Sequence, residues 1–107
     1  MAVTGINLAD GQLANAEADM YTVPADTRAY VKSIVCSNTG AGDNTVTLYL
    51  TPSGGTSRRI AYAVLASGST LYYDEPTTLD AADKIRGYAT NAAEVDYIIS
   101  GGEESTA

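Results

Sequence analysis

The stretch Asn38–Thr56, NTGAGDNTVTLYLTPSGGT, holds an alternating segment between two glycine-rich breaks. In TVTLYLTP, Val46, Leu48 and Leu50 share one face, and Thr45, Thr47, Tyr49 and Thr51 share the other. Successive side chains of a strand point to opposite faces. The segment therefore reads as a half-buried antiparallel strand with a wet outer face. Gly40 and Gly42 before it, and Pro52 and Gly54-Gly55 after it, end the strand. Glycine admits turn conformations, and proline cannot donate to a ladder.

The same pattern extends outward. RAYVKSIVCSN (28–38) is rich in β-branched residues. Regular alternation puts Tyr30, Lys32, Ile34 and Cys36 on one face and Val31, Ser33, Val35 and Ser37 on the other. Both faces are partly apolar, as in a central strand. MYTVPAD, SRRIAYAVL, TLYYDEP, KIRGYATN and EVDYIISGG are further strand-like runs, separated by ASGST and LDAAD turns. Ile85, Gly87 and Ala89 share a face of one run, and Val95, Tyr97 and Ile99 a face of another. Seven or eight short strands at roughly 8–12-residue spacing, with no long helix, predict one all-β domain. The expected fold is a single antiparallel β-sandwich, jelly-roll-like, over residues 20–101, with a polar tail at 102–107. Strand order stays open, because Greek-key and jelly-roll connections share these local signals.

Residues 1–19, MAVTGINLADGQLANAEAD, are small, polar and acidic. After Met1 the larger apolar side chains are Val3, Ile6, Leu8 and Leu13, whose spacing fits neither structural period. They predict an extended N-terminal arm that can pair as a strand at its start and that packs on a neighbouring molecule through those four residues.

Composition narrows the function. The 107 residues include thirteen acids and six bases, for a net charge of −7. Nucleic-acid binding needs phosphates neutralised by Lys and Arg, so no nucleic acid is expected. Eight tyrosines are the whole aromatic set, so tyrosine bodies are expected in the core with hydroxyls reaching outward. The N-terminal sequence lacks a basic segment followed by an apolar one, and no apolar run can span a membrane. An intracellular origin and no membrane partner are expected. Cys36 is alone, so no intrachain disulfide is expected.

Histidine is absent, which removes the usual general base and the commonest zinc ligand. Catalysis is not expected. Cys36, mid-strand in an apolar run, reads as a small buried hydrophobe. The acids Asp10, Glu17, Asp19, Asp26, Asp74, Glu75, Asp80 and Asp83 follow no calcium-loop pattern and suit strand ends and turns. No metal or cofactor is expected. Arg58 and Arg59 should face opposite ways, one pairing across strands with an acid and one meeting a partner. Tyr72 and Tyr73 should also divide, one to the core and one to the surface, with Tyr72 a candidate contact.

Three stretches carry a resemblance: YTVPADTRAYVKSIVCSNTGAGDNTVTLYLTPSGG, AYAVLASGSTLYY and TTLDAADKIRGYATNAAEVDYIISGGEE. Together they resemble small virion proteins of tailed bacteriophages over about residues 20–103. Ala82 stands where L-x-A-G-D in such proteins has glycine, a departure expected to change the turn. The resemblance implies a capsid decoration (cement) protein, a homotrimer that binds the major capsid protein on the outer capsid surface after assembly in the host bacterial cytoplasm. The alternative it implies is a tail adaptor, fibre or tip component that contacts the host surface. No catalytic or binding residues come with it.

Overall fold

The computed structural model describes residues 4–107. It holds nine strands: β1 (Thr4–Gln12), β2 (Ala18–Thr22), β3 (Thr27–Asn38), β4 (Asn44–Thr51), β5 (Arg58–Leu65), β6 (Thr70–Tyr73), β7 (Thr77–Leu79), β8 (Lys84–Ala89) and β9 (Val95–Ser105). One sheet runs β1-β9-β3, with β6 and β7 following each other along the far edge of β3; the other runs β2-β8-β4-β5. Every pairing is antiparallel. The chain crosses between sheets at every connection except β4–β5 and β6–β7, which gives a jelly-roll sandwich. Loops 13–17, 39–43, 66–69 and 90–94 gather at one end, and loops 23–26, 52–57 and 80–83 at the other.

The core is aliphatic. Ile34 and Cys36 of β3, Val46 and Leu48 of β4, Ile85 and Ala89 of β8, and Val95 and Ile99 of β9 have no exposed surface. Those of β4, β8 and β9 are inward positions that alternation assigns. Tyr21 and Tyr97 bury their rings and place their hydroxyls on polar groups. Tyr97 Oη donates to the Met20 carbonyl at 3.3 Å, and Tyr21 Oη donates to Glu103 Oε2 at 2.5 Å, linking the sheets. Burial first, then the Glu103 carboxylate, push the Tyr21 phenol well above its ordinary range.

Several expectations are corrected. The start of the arm does pair as a strand, but within this chain's own sandwich: residues 4–12 form β1, paired along β9 from Thr4↔Glu103 to Gln12↔Asp96. Leu13 is a core residue, tied by hydrogen bonds to Val95 and Ala93. The apolar spacing of this segment fits no period because Leu8 is an extra residue between Asn7↔Ser100 and Ala9↔Ile99, a bulge that breaks alternation. The tail is likewise strand, since β9 continues to Ser105.

In β3 the alternation also switches. Ala29 and Val31 face inward before Lys32, and Ile34, Cys36 and Asn38 face inward after it. The register passes from Val31↔Gly101 to Ser33↔Ser100, so Lys32 is the extra residue. A one-residue slip exchanges the faces of a strand, which is how both apolar sets of β3 reach one core. Finally, Ala82 adopts φ +69°, the left-handed conformation that glycine takes freely. The missing glycine leaves the turn in a glycine-like conformation and adds strain.

Cys36 is fully buried, and burial pushes its thiol up to about 12. Only the thiolate alkylates rapidly. Iodoacetamide at neutral pH is expected to modify the native protein at least about a hundredfold more slowly than the urea-unfolded chain. Equal rates would contradict this placement.

Candidate assembly surfaces

Alternation that fills the core also furnishes two outer faces, and the register fixes which residues meet there. On the β2-β8-β4-β5 sheet one row runs Asp19, Arg86, Tyr49, Arg59, and the next runs Tyr88, Thr47, Tyr62. Val64 lies beyond, opposite Thr45. Tyr62 is 58% exposed and Val64 61%. The Tyr49 and Tyr88 rings stack with centroids 6.3 Å apart, and the Arg59 guanidinium lies 5.0 Å from the Tyr62 centroid. Thr47, an outer-face residue that alternation assigns to solvent, is buried because tyrosines flank it on both neighbouring strands.

One side of this face is electrically closed. Arg86 donates to Glu17 at 2.6 Å and to Asp19 at 2.7 Å, and Lys84 donates to Asp19 at 3.0 Å. The Lys84 hydrogen bond first, with help from Arg86, holds the Asp19 carboxyl below its ordinary range. That contribution is present above the unfolded-state value and fades as pH falls through the lowered one. Exposure keeps it small. Arg58 and Arg59, at the opposite side on β5, are both exposed and join none of the ion pairs found among the described residues. The expected pairing of one of them with an acid across strands is absent there.

The outer face of the other sheet carries the row Asp10, Ile98, Val35, Tyr72, spanning β1, β9, β3 and β6. Ile98 is 47% exposed and Tyr72 66%. Beside it run Gln12, Asp96, Ser37 and Thr70, where Gln12 donates to Asp96 at 3.0 Å. Tyr73 turns the other way and packs against the core.

A third feature is the loop end at 39–43. Asn38 and Asn44 are buried polar residues. Asn38 Nδ2 donates to the Gly42 and Leu65 carbonyls at 2.8 and 2.9 Å, and its Oδ1 accepts from Gly40 N–H and Asn44 Nδ2. Asn44 Nδ2 also reaches Glu94 Oε1 at 3.0 Å, and Asn44 Oδ1 accepts from Asn91 N–H at 2.9 Å. One satisfied network therefore locks loops 39–43 and 90–94 to the end of β5, and satisfied buried networks rigidify what they join.

Neither a protein-family model nor a curated protein sequence matches the chain. Solved structures do. A subunit of Bacillus endospore appendages, described as disulfide-linked pili, is similar with TM-score 0.61 and 21% identity over 98% of this chain and 89% of that one. A chain of the T13 IBDV viral particle is similar with TM-score 0.52 and 12% identity, over 95% of this chain and 30% of that one. At these identities the likeness establishes a common fold. The jelly roll of this chain is thus one used by a viral-particle chain and by a pilus subunit.

The candidate contacts read from sequence scatter over these surfaces. Val3 lies outside the described residues. Ile6 is exposed on β1, Leu8 is half-buried against the core, and Leu13 is internal. Tyr72 joins the Ile98–Val35 row, Arg59 lies beside Tyr62, and Arg58, opposite Leu50, belongs to the other side of β5. Ile98, Tyr62 and Val64 were missed. Their strands are legible in the sequence, but the cross-strand register that gathers them is not.

The acids serve the fold. Asp83 accepts from Asp80 N–H at 2.9 Å and from Ser53 N–H at 2.8 Å, and Asp80 pairs with Arg28 at 3.2 Å. No group of three or more metal-ligating side chains occurs among the described residues.

Proposed function

We propose that the chain is a structural protein of a virion, a decoration (cement) protein that binds the outer capsid surface and bridges neighbouring subunits, with no reaction of its own. The observation that carries this proposal is the pair of exposed apolar rows, Ile98–Val35–Tyr72 on one sheet and Tyr62–Val64 with Tyr49 and Tyr88 on the other. They lie on opposite sides of one small sandwich. A subunit with two such faces can touch two neighbours at once, which is what bridging requires. Contiguous exposed apolar surface on a small domain marks association. Tyrosines immobilised by each other and by Arg59 also lose little side-chain entropy on docking.

The major capsid protein is the proposed shell partner, with the locked end at loops 39–43 and 90–94 as its seat. This end is rigid before contact, so docking there orders nothing new. Many modest contacts repeated over a particle then act together. The homotrimer implied by the resemblance needs two contact surfaces inclined so that the rotation closes. Opposed faces favour an open row of copies instead.

A fibre or tail component is the second reading, favoured by the likeness to a pilus subunit. The disulfide linkage described for those pili needs a reachable thiol, and Cys36 is buried. Counting copies of the chain in purified particles separates the two roles: a number comparable with the shell protein supports decoration, and a handful supports the tail.

A further inference from the structure

Four features bear on how copies of this chain meet. The first is that its sheet edges are blunted. β1 carries the Leu8 bulge, β2 an extra Met20 between Asp19↔Arg86 and Tyr21↔Ile85, and β5 an extra Ile60 between Leu48↔Ala61 and Tyr49↔Arg59. The fourth edge is broken into β6 and β7 by residues 74–76. Bulges, interruptions and the Arg58-Arg59 pair are devices that prevent strand-to-strand addition. Association is thereby directed away from the edges and onto the faces.

The second feature is that the faces are unlike. Around Tyr62 and Val64 the charge outside the ion pairs of the described residues is Arg59, because Arg86 and Lys84 are neutralised by Glu17 and Asp19, and Arg58, opposite Leu50, belongs to the other side of the sheet. Around Ile98, Val35 and Tyr72 the charges are Asp10 and Asp96, with the exposed bulge residue Lys32 further along β3, so acids are in excess. One face is apolar and basic, and the other is apolar and acidic. Third, the Tyr72 row spans four strands and the Tyr62 row three, so the two have comparable widths at the ordinary strand spacing of about 4.8 Å. Fourth, Tyr49 and Tyr88 stack on each other and Arg59 lies over the Tyr62 ring. That makes a pre-packed surface suited to a protein.

Building on the subunit assignment above, we infer that the Tyr62 face of one copy docks on the Tyr72 face of a second copy, head to tail. Arg59 then lies against Asp10 and Asp96 of the neighbour. Like faces brought together would oppose like charges, so self-complementarity selects the heterologous contact. Because the faces are opposed, the contact propagates as a row and leaves the loop ends free for a shell. A contact three or four strands wide is expected to bury less than the roughly 800 Å² per partner of a standard interface. Its isolated affinity is accordingly weak, with Kd in the range of about 0.1–1 mM.

The test is sedimentation of the purified chain from about 10 µM to about 1 mM in about 0.15 M salt. The wild type should grow in mass continuously with concentration. Arg59→Glu makes both faces acidic, and Asp10→Lys with Asp96→Lys makes both basic. Each variant alone should stay monomeric, and an equimolar mixture should associate again. Tyr72→Ser, which changes no charge, should weaken association at least about tenfold. Thermal unfolding of each variant confirms that it is folded. A wild type that stays monomeric throughout overturns the inference, as does a mixture that fails to recover. A closed complex insensitive to these residues does the same. The particle count proposed above fails or succeeds independently of this result.

Discussion

Gly101→Val is expected to cost about 3–5 kcal/mol, lowering the thermal midpoint by roughly 15–30 °C. Gly101 sits where the β3 register slips, opposite Val31 and beside Ile6 on the other neighbour. A Cβ placed there falls onto the Tyr30 carbonyl oxygen and lies 3.1 Å from the Val31 Cα. Both obstacles are backbone, and both belong to the bulge that turns Ala29 and Val31 into the core with Ile34 and Cys36. Relief requires moving the bulge, and moving it shifts one half of β3 to the wrong face. Space sets the demand here. Gly42 offers the contrast, having nothing within 4 Å of an added Cβ. Gly42→Ala should change stability by no more than about 0.5 kcal/mol. Comparable midpoints for Gly101→Val and the wild type, followed by circular dichroism, would contradict this account of the bulge.

Asn44→Leu should cost about 2–4 kcal/mol. Leucine has similar bulk but neither donates nor accepts. The change strands the Asn91 N–H, removes a donor from Glu94 and one from Asn38 Oδ1, all in buried or half-buried surroundings. The desolvation cost of each orphaned group then appears in full. Urea unfolding should show the midpoint falling by about 1–3 M with its slope unchanged, the sign of lost stability without altered compactness. A midpoint within a few tenths of a molar of wild type would show that the loop end is not held by this network.

These two sites show where sequence reading works and where it stops. TVTLYLTP, KIRGYATN and EVDYIISGG announce their inward residues by strict alternation, and the structure buries Val46, Leu48, Ile85, Ala89, Val95 and Ile99 accordingly. The absence of long helices and the regular turn signals are enough for an antiparallel sandwich. What alternation cannot express is a bulge. Leu8 hides β1 in what looks like an aperiodic arm, and Lys32 splits the apolar residues of β3 between two apparent faces. Both assignments need the partner strand, β9, which lies far along the chain. The assembly surfaces are non-local in the same way. Tyr72 can be picked out as a surface tyrosine, but its neighbours Val35 and Ile98 are contributed by two other strands. Asn38 and Asn44 look like ordinary turn residues until loops 39–43 and 90–94 close over them.

The proposed role depends on number. A cement protein must occur in proportion to the shell it stabilises, because each bridge contributes only a modest free energy. The most direct measurement is the ratio of this chain to the major shell protein in purified particles, by quantitative mass spectrometry. Decoration predicts a ratio within a few-fold of unity. A handful of copies per particle, or none, would contradict it.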